Sequence, residues 1–260
     1  MVTMTERDTI KTLTTHYIDG GFVESHGREV MDIIKPTTGK VIARVTLGDE
    51  EDTRRAIAAA KLAFVSFGRT TKEERLRYLH QLHRAVSARV DDLTAIMIEE
   101  YGGVARFARL LVESGVNAFA AAQKALQELP LKESWGKTTV TMEPVGVAGL
   151  ITAWNANALF ICLKLSSAIA AGCTVVLKPS EMSALQTRAM VDVVSAAGLP
   201  KGVFNVVTGL GTVVGAELVR CENFVHRLGG RRSRHHARRR RDDEARDARA
   251  GWQVAHNPSR

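Results

Sequence analysis

The chain has 260 residues, 45% hydrophobic, 5% aromatic and 25% charged, which fits a soluble α/β protein of one large or two ordinary domains. Its net charge of +8 is unevenly spread: residues 221–260 hold eleven arginines against five acidic residues, leaving 25 basic and 23 acidic residues in 1–220, so the body is nearly neutral. Three cysteines, Cys162, Cys173 and Cys221, are odd in number and lack metal-ligand spacing, so no metal site and a reducing, cytoplasmic setting are expected. No apolar run approaches a membrane span, and the opening MVTMTERDTIKTL lacks the core of a signal peptide.

In chain order, residues 1–14 are polar and expected to be loosely held. Tyr17–Val23 (YIDGGFV) predicts a hairpin turning at Asp19-Gly20-Gly21. Val30–Ile34 and Val41–Val45, separated by Pro36-Thr37-Thr38-Gly39, predict a second strand pair. Asp49 is suited to cap a helix with Asp52 at its third position, and Ala56, Ala59, Ala60, Ala63 and Phe64 would form its apolar face. Thr71 with Glu74 is a capping box for a long helix with Leu76, Leu79, Leu82 and Val86 inward. Val90–Glu100 continues in helical period through Leu93, Ile96 and Met97, and Gly102-Gly103 interrupts it. A further amphipathic helix is expected over Ala105–Leu129, and Lys137–Glu143 alternates as a strand does. There is no internal repeat.

From Val145 the pattern changes to strand, polar corner, helix, repeated. Val145–Thr152 is an apolar run broken by Trp154-Asn155, and Leu159–Ala171 is apolar nearly all round, with Gly172 as its stop. Thr174–Leu177 is a short strand ending in the charged corner Lys178-Pro179-Ser180-Glu181. Ser183 is placed to cap a helix that runs out at Gly198, and Val203–Val207 is a third strand. Two successive βαβ units predict a Rossmann-like, doubly wound parallel sheet, with ligands at the C-terminal strand ends.

Pro144-Val145-Gly146, Trp154-Asn155, Lys164, the Lys178–Glu181 corner and Gly209-Leu210-Gly211 with Gly215 also form an ordered set. In order and spacing the set resembles the aldehyde dehydrogenase superfamily over residues 15–220. The resemblance implies an NAD(P)-dependent oxidation of an aldehyde to an acid. In that chemistry a cysteine thiolate attacks the aldehyde, hydride leaves for the nicotinamide, and a glutamate activates water to release the acid. Asn155 would then donate to the developing oxyanion, an effect worth about 2.7–4 kcal/mol per donor; the plainer alternative is a loop asparagine bonding its own backbone. Lys178 and Glu181 would hold the adenosine ribose, with Ser180 and the backbone of Ile151, Thr152, Ala153 and Trp154 closing on the nicotinamide side; the alternative is a solvated corner. Gly211 and Gly215 suit either close approach of adenine or an ordinary strand-to-helix turn. Lys164 reads as a helix-surface lysine, and Cys162 and Cys173 as buried, inert thiols. Glu181 leans towards NAD over NADP, and the strand at 137–144 belongs in the family to a hairpin that joins subunits.

The pattern departs from the family at two places. Ala153 stands where proline usually precedes the tryptophan, and Ala156 and Asn157 stand where an aromatic residue and a proline usually follow the asparagine. In the family both places border the aldehyde tunnel, so the resemblance does not extend to a substrate class.

After Val219 apolar periodicity ends. Residues 221–260 read as a nucleic-acid-binding arm, as a disordered basic tail, or as the continuing gene read out of frame. Back-translation favours the third. Read from the second base of each codon, Asn223–Arg232 can encode ISFTGSVAVG, and Arg246–Pro258 can encode VTLELGGKSPTIL. The first is the family's glycine-rich turn on the nicotinamide side, and the second contains its general-base glutamate, encoded across Arg249. The tail is therefore expected to be out of frame and disordered, nucleic acid is not the expected partner, and this form is expected to lack the catalytic cysteine and glutamate, to bind its cofactor poorly and to be inactive.

Overall fold

The computed structural model describes residues 10–220. Residues 1–9 and 221–260, and with them the expectations placed on the out-of-frame tail, lie outside the described residues.

Lys11–Leu13 (β1) opens the described chain and pairs in parallel with Val41–Thr46 (β5). Within residues 1–14, expected to be loosely held, this segment is instead a strand: three residues carry no periodicity, and their hydrogen-bonding partner lies some thirty residues on. Thr15–Ile18 (β2) and Gly21–Glu24 (β3) form the expected hairpin. Asp19 and Gly20 both take positive φ, 54° and 79°, as the mirror-image two-residue turn requires. Val30–Ile34 (β4) runs antiparallel to β5, completing a sheet of order β1-β5-β4.

Four helices follow. Glu50–Phe67 (α1) starts on a full capping box between Asp49 and Asp52, and Lys72–Ser87 (α2) on one between Thr71 and Glu74. Val90–Tyr101 (α3) stops at left-handed Gly102, and Ala105–Glu128 (α4) is the longest helix among the described residues. The inner face of α1 is Ala56, Ile57, Ala59, Ala60 and Phe67; Phe64, expected there, is only half-buried. Lys132–Trp135 (β6) and Thr138–Thr141 (β7) then form an isolated hairpin around Gly136. Sequence reading found the second of these strands alone, because β6 (KESW) is polar and short.

Val147–Ile151 (β8), Asn157–Ala170 (α5), Thr174–Lys178 (β9), Ala184–Ala196 (α6) and Phe204–Val206 (β10) are the two βαβ units. The main sheet has the order β3-β2-β10-β9-β8, with β8, β9 and β10 parallel and the β2–β3 hairpin antiparallel at the far side. Every residue of β9 (TVVLK) is buried, as a β-rich strand between two neighbours and two helical layers must be. One face of the sheet packs Val175, Leu177, Phe204 and Val206 against α5 and α6, with α2 and α4 behind them. The other face packs Val147, Val176 and Val207 against the alanine-rich stripe of α1. After β10, Gly211–Gly215 make one wide helical turn that leads into Ala216–Arg220 (α7).

The start of α6 differs from expectation. Ser183 caps nothing with its side chain; its hydroxyl donates to the Ser180 carbonyl at 3.0 Å. The buried first-turn amides of this helix are met by Glu100 at the end of α3, which accepts from Leu185 N at 2.7 Å and Gln186 N at 3.0 Å.

Candidate functional site

The candidate site lies at the C-terminal ends of β8 and β9, where an open parallel sheet leaves a crevice between diverging loops. Ile151 and Lys178 are register partners there, and Thr152 N donates to the Lys178 carbonyl at 3.1 Å. The two corners named from sequence therefore rise side by side.

At the first corner, Ala153, Trp154 and Asn155 are exposed, whereas Thr152 and Ala156 are buried. Trp154 packs edge-on against Tyr101, ring centroids 5.1 Å apart, so the loop leans on the end of α3. Asn155 sits at the loop's outer side, just before α5. Lys164, read from sequence as a plain surface lysine, donates to the Ile151 carbonyl at 2.8 Å and so ties the end of β8 to α5. Asn157, noted only as a departure, is completely buried: its Oδ1 accepts from the Thr152 hydroxyl at 2.8 Å and its Nδ2 donates to Thr187 Oγ1 at 2.9 Å. The available signal was an asparagine opening an otherwise apolar helix, since a buried amide needs partners.

At the second corner, Lys178 is 5% exposed and its Nζ lies 2.9 Å from Glu181 Oε2. Burial of an ammonium requires such a partner. Two further Nζ protons remain for acceptors, and the carboxylate keeps acceptor capacity. Ser180 is engaged locally, accepting from Met182 N at 3.4 Å as the cap of the short turn Glu181–Ser183.

A cavity of about 440 Å³ opens between the corners and the glycine turn, lined by Ile151, Lys178, Gly211, Gly215, Ala216, Val219 and Arg220. A methyl group added at Gly211 or Gly215 would meet nothing within 4 Å, so both glycines face open space. The turn is a continuous strand-to-helix connection, with Leu210 O accepting from Val213, Val214 and Gly215 N. An apolar, glycine-floored cavity beside an ammonium–carboxylate pair suits a flat base joined to a diol.

Among the described residues, the two cysteines stand apart from this crevice. Cys162 and Cys173 are buried in the core between sheet and helices, and burial pushes the Cys162 thiol up to about 12, far from a thiolate at neutral pH.

The profile of the aldehyde dehydrogenase family matches residues 22–227. The chain belongs to the aldehyde dehydrogenase family. Among curated relatives, it is 39% identical over 204 residues to a 3-succinoylsemialdehyde-pyridine dehydrogenase of a Pseudomonas species, covering 78% of this chain and 43% of that one. It is 36% identical over 210 residues to a putative aldehyde dehydrogenase of Staphylococcus epidermidis, with coverage of 80% and 44%. Among solved structures, an aldehyde dehydrogenase C mutant of Pseudomonas syringae in complex with NAD+ and octanal superposes with a TM-score of 0.77 at 35% identity, covering 81% and 44%. A betaine aldehyde dehydrogenase of Staphylococcus aureus with NAD+ gives 0.75 at 30% identity, covering 79% and 42%. The chain thus spans less than half the length of each of these relatives. Its mixed α/β architecture is that of their Rossmann-like portion.

Proposed function

We propose that residues 15–220 are the nucleotide-binding part of an NAD(P)-dependent aldehyde dehydrogenase, and that the 260-residue form does not oxidise aldehydes by itself. The observation that carries the reading is the adjacency of two corners at level strand ends, Asn155 after β8 and Lys178, the last residue of β9, with Glu181 just beyond it.

In this reading the Lys178 ammonium and Glu181 carboxylate hold the ribose hydroxyls, one donating and one accepting. The glycine-floored cavity takes the base, and Glu181 disfavours a 2′-phosphate and so favours NAD. Ile151, Thr152, Ala153, Trp154 and Ser180 line the approach to the nicotinamide. The exposed Asn155 amide donates to a carbonyl oxygen as negative charge develops on it. The bound dinucleotide would supply the hydride acceptor. Ala153, Ala156 and the buried Asn157 leave the aldehyde side of the loop with small groups, which suits a substrate not gripped by an aromatic wall at this point. Support for NAD+ and an aldehyde as ligands comes from the Pseudomonas syringae relative, which is complexed with NAD+ and octanal.

The reading that this form is inactive is supported by its two described cysteines and by the sequence of its tail. Neither buried cysteine is poised as a nucleophile, and residues 221–260, back-translated and read in the shifted frame, can encode the family's next glycine turn and its glutamate. The β6–β7 hairpin, with Trp135 68% and Met142 57% exposed nearby, is the proposed contact between copies, and the proposed setting is the cytoplasm. The experiment is direct. Purified chain given NAD+ and octanal is expected to form no more reduced nicotinamide than a protein-free control; sustained turnover would refute the claim of inactivity. Sequencing the coding DNA across codons 215–260, with the intact mass of the cellular product, decides the frame.

A further inference from the structure

The geometry points to Asn157 as a positioning residue that couples the two corners of the candidate site. Thr152 directly follows β8, Asn157 opens α5, and Thr187 lies in the first turn of α6; all three are buried. The Thr152 hydroxyl donates to Asn157 Oδ1 at 2.8 Å, Asn157 Nδ2 donates to Thr187 Oγ1 at 2.9 Å, and the Thr187 hydroxyl donates to the Ser183 carbonyl at 2.8 Å.

Proton counting fixes the direction of this relay of bonds. A threonine hydroxyl has one proton. Thr187 gives its proton to Ser183, so towards Asn157 it can only accept, and the amide nitrogen must face it. The amide oxygen is then left for Thr152, whose proton has nowhere better to go inside the core. Each member is oriented by the next.

The positions of the members give the relay its meaning. Thr152 and Asn157 bracket the loop that carries Asn155, and their side-chain bond staples the loop at its base. Ser183 ends the short turn that begins at Glu181, three residues past Lys178. One line of buried hydrogen bonds therefore joins the base of the Asn155 loop to the base of the Lys178–Glu181 corner, across three secondary-structure elements. The helix α5 has no side-chain cap at Ala156, so this amide also anchors its first turn from within. The proposal deepens the nucleotide-site reading and rests on it for its functional sense, but the coupling is measurable without any ligand.

The test is hydrogen exchange by mass spectrometry on the full 260-residue chain, comparing wild type with Asn157→Ala, Thr187→Val and the double variant. Either single change leaves a buried polar group without its partner. Each is expected to speed exchange about tenfold in peptides covering 152–157 and in peptides covering 180–187, while the β2–β3 hairpin keeps its rates. The double variant is expected to go no faster than the singles, because both break the same relay. Thr187→Ser retains the hydroxyl and should exchange as wild type. If Asn157→Ala does not fold, Thr187→Val, nearly the same shape as threonine, carries the same prediction. Exchange faster only in 152–157, faster equally throughout the chain, or additive in the double variant would overturn the coupling. Adding NAD+ to wild type separates the two claims: protection at neither corner would refute the nucleotide reading, and the ligand-free rates would still decide the coupling.

Discussion

Ile151 and Lys178 are paired across the ladder between β8 and β9, and each is the last residue of its strand. Because the strands end level, the two following loops leave the sheet together and bound one crevice. The side-chain period of a strand is two, so a slip of one residue in this register would turn Lys178 to the opposite face and separate it from the crevice. The site depends on this pairing before it depends on any functional side chain.

Asp52 anchors the start of α1 and the preceding loop. It is fully buried and accepts from Ser25 Oγ at 3.2 Å, His26 N at 3.0 Å, Gly27 N at 3.2 Å and Asp49 N at 3.3 Å. Burial alone would raise its pKa, but the His16 ring and the His26 and Gly27 amides outweigh burial and hold it well below the usual carboxylate range. A depressed carboxylate stabilises the fold fully above its unfolded value of 3.8, and that contribution fades as pH falls towards the folded value. Asp52→Asn is expected to cost about 3 kcal/mol in urea unfolding at pH 7, with the gap to wild type narrowing below pH 3.8. An unchanged midpoint at pH 7 would contradict this assignment.

Glu100 has the opposite sign. Burial between α3 and α6 pushes its carboxyl up from 4.5 to about 7, against the lowering effect of the Gln186 and Leu185 amides. A raised carboxyl contributes stability fully below its unfolded value and loses it as pH rises through the folded one. Wild type is therefore expected to lose stability on the order of 3 kcal/mol from this group between pH 4.5 and pH 8. Glu100→Gln should remove most of that slope in urea titrations across this range, and equal slopes for the two proteins would exclude Glu100 as its source.

The cysteines give a chemical check. With Cys162 and Cys173 buried and the Cys162 thiol pushed up to about 12, native protein treated with iodoacetamide at neutral pH is expected to show neither modified. Both should be alkylated in denaturant. Rapid native labelling of Cys162, read by peptide mass spectrometry, would reopen its candidacy as a nucleophile.

Features whose partners lie within one turn of each other were legible in the sequence. The capping boxes at Asp49/Asp52 and Thr71/Glu74 are of this kind, as is the Asp19-Gly20 turn, where positive φ restricts the residue types. The βαβ run was legible because β9 and the inner faces of α5 and α6 had to be apolar. Features made by distant partners were hidden. The amides of α6 are met by a carboxylate 85 residues earlier, so Ser183, with a capping side chain in the right place, looked sufficient. The strand β1 has meaning only beside β5, and β6 only beside β7. At the site, Lys178 and Glu181 stood out as charges on a corner, whereas Asn157 was visible only as an oddity, because its partners Thr152 and Thr187 are brought to it by the fold.

Calorimetric titration of NAD+ into the full chain, repeated with Lys178→Ala and Glu181→Gln, tests the central claim most directly. Weak, saturable binding to wild type is expected, and either substitution should abolish it, since each removes half of the pair that would hold the ribose. Binding of equal affinity in wild type and both variants, or no binding to wild type at all, would contradict it.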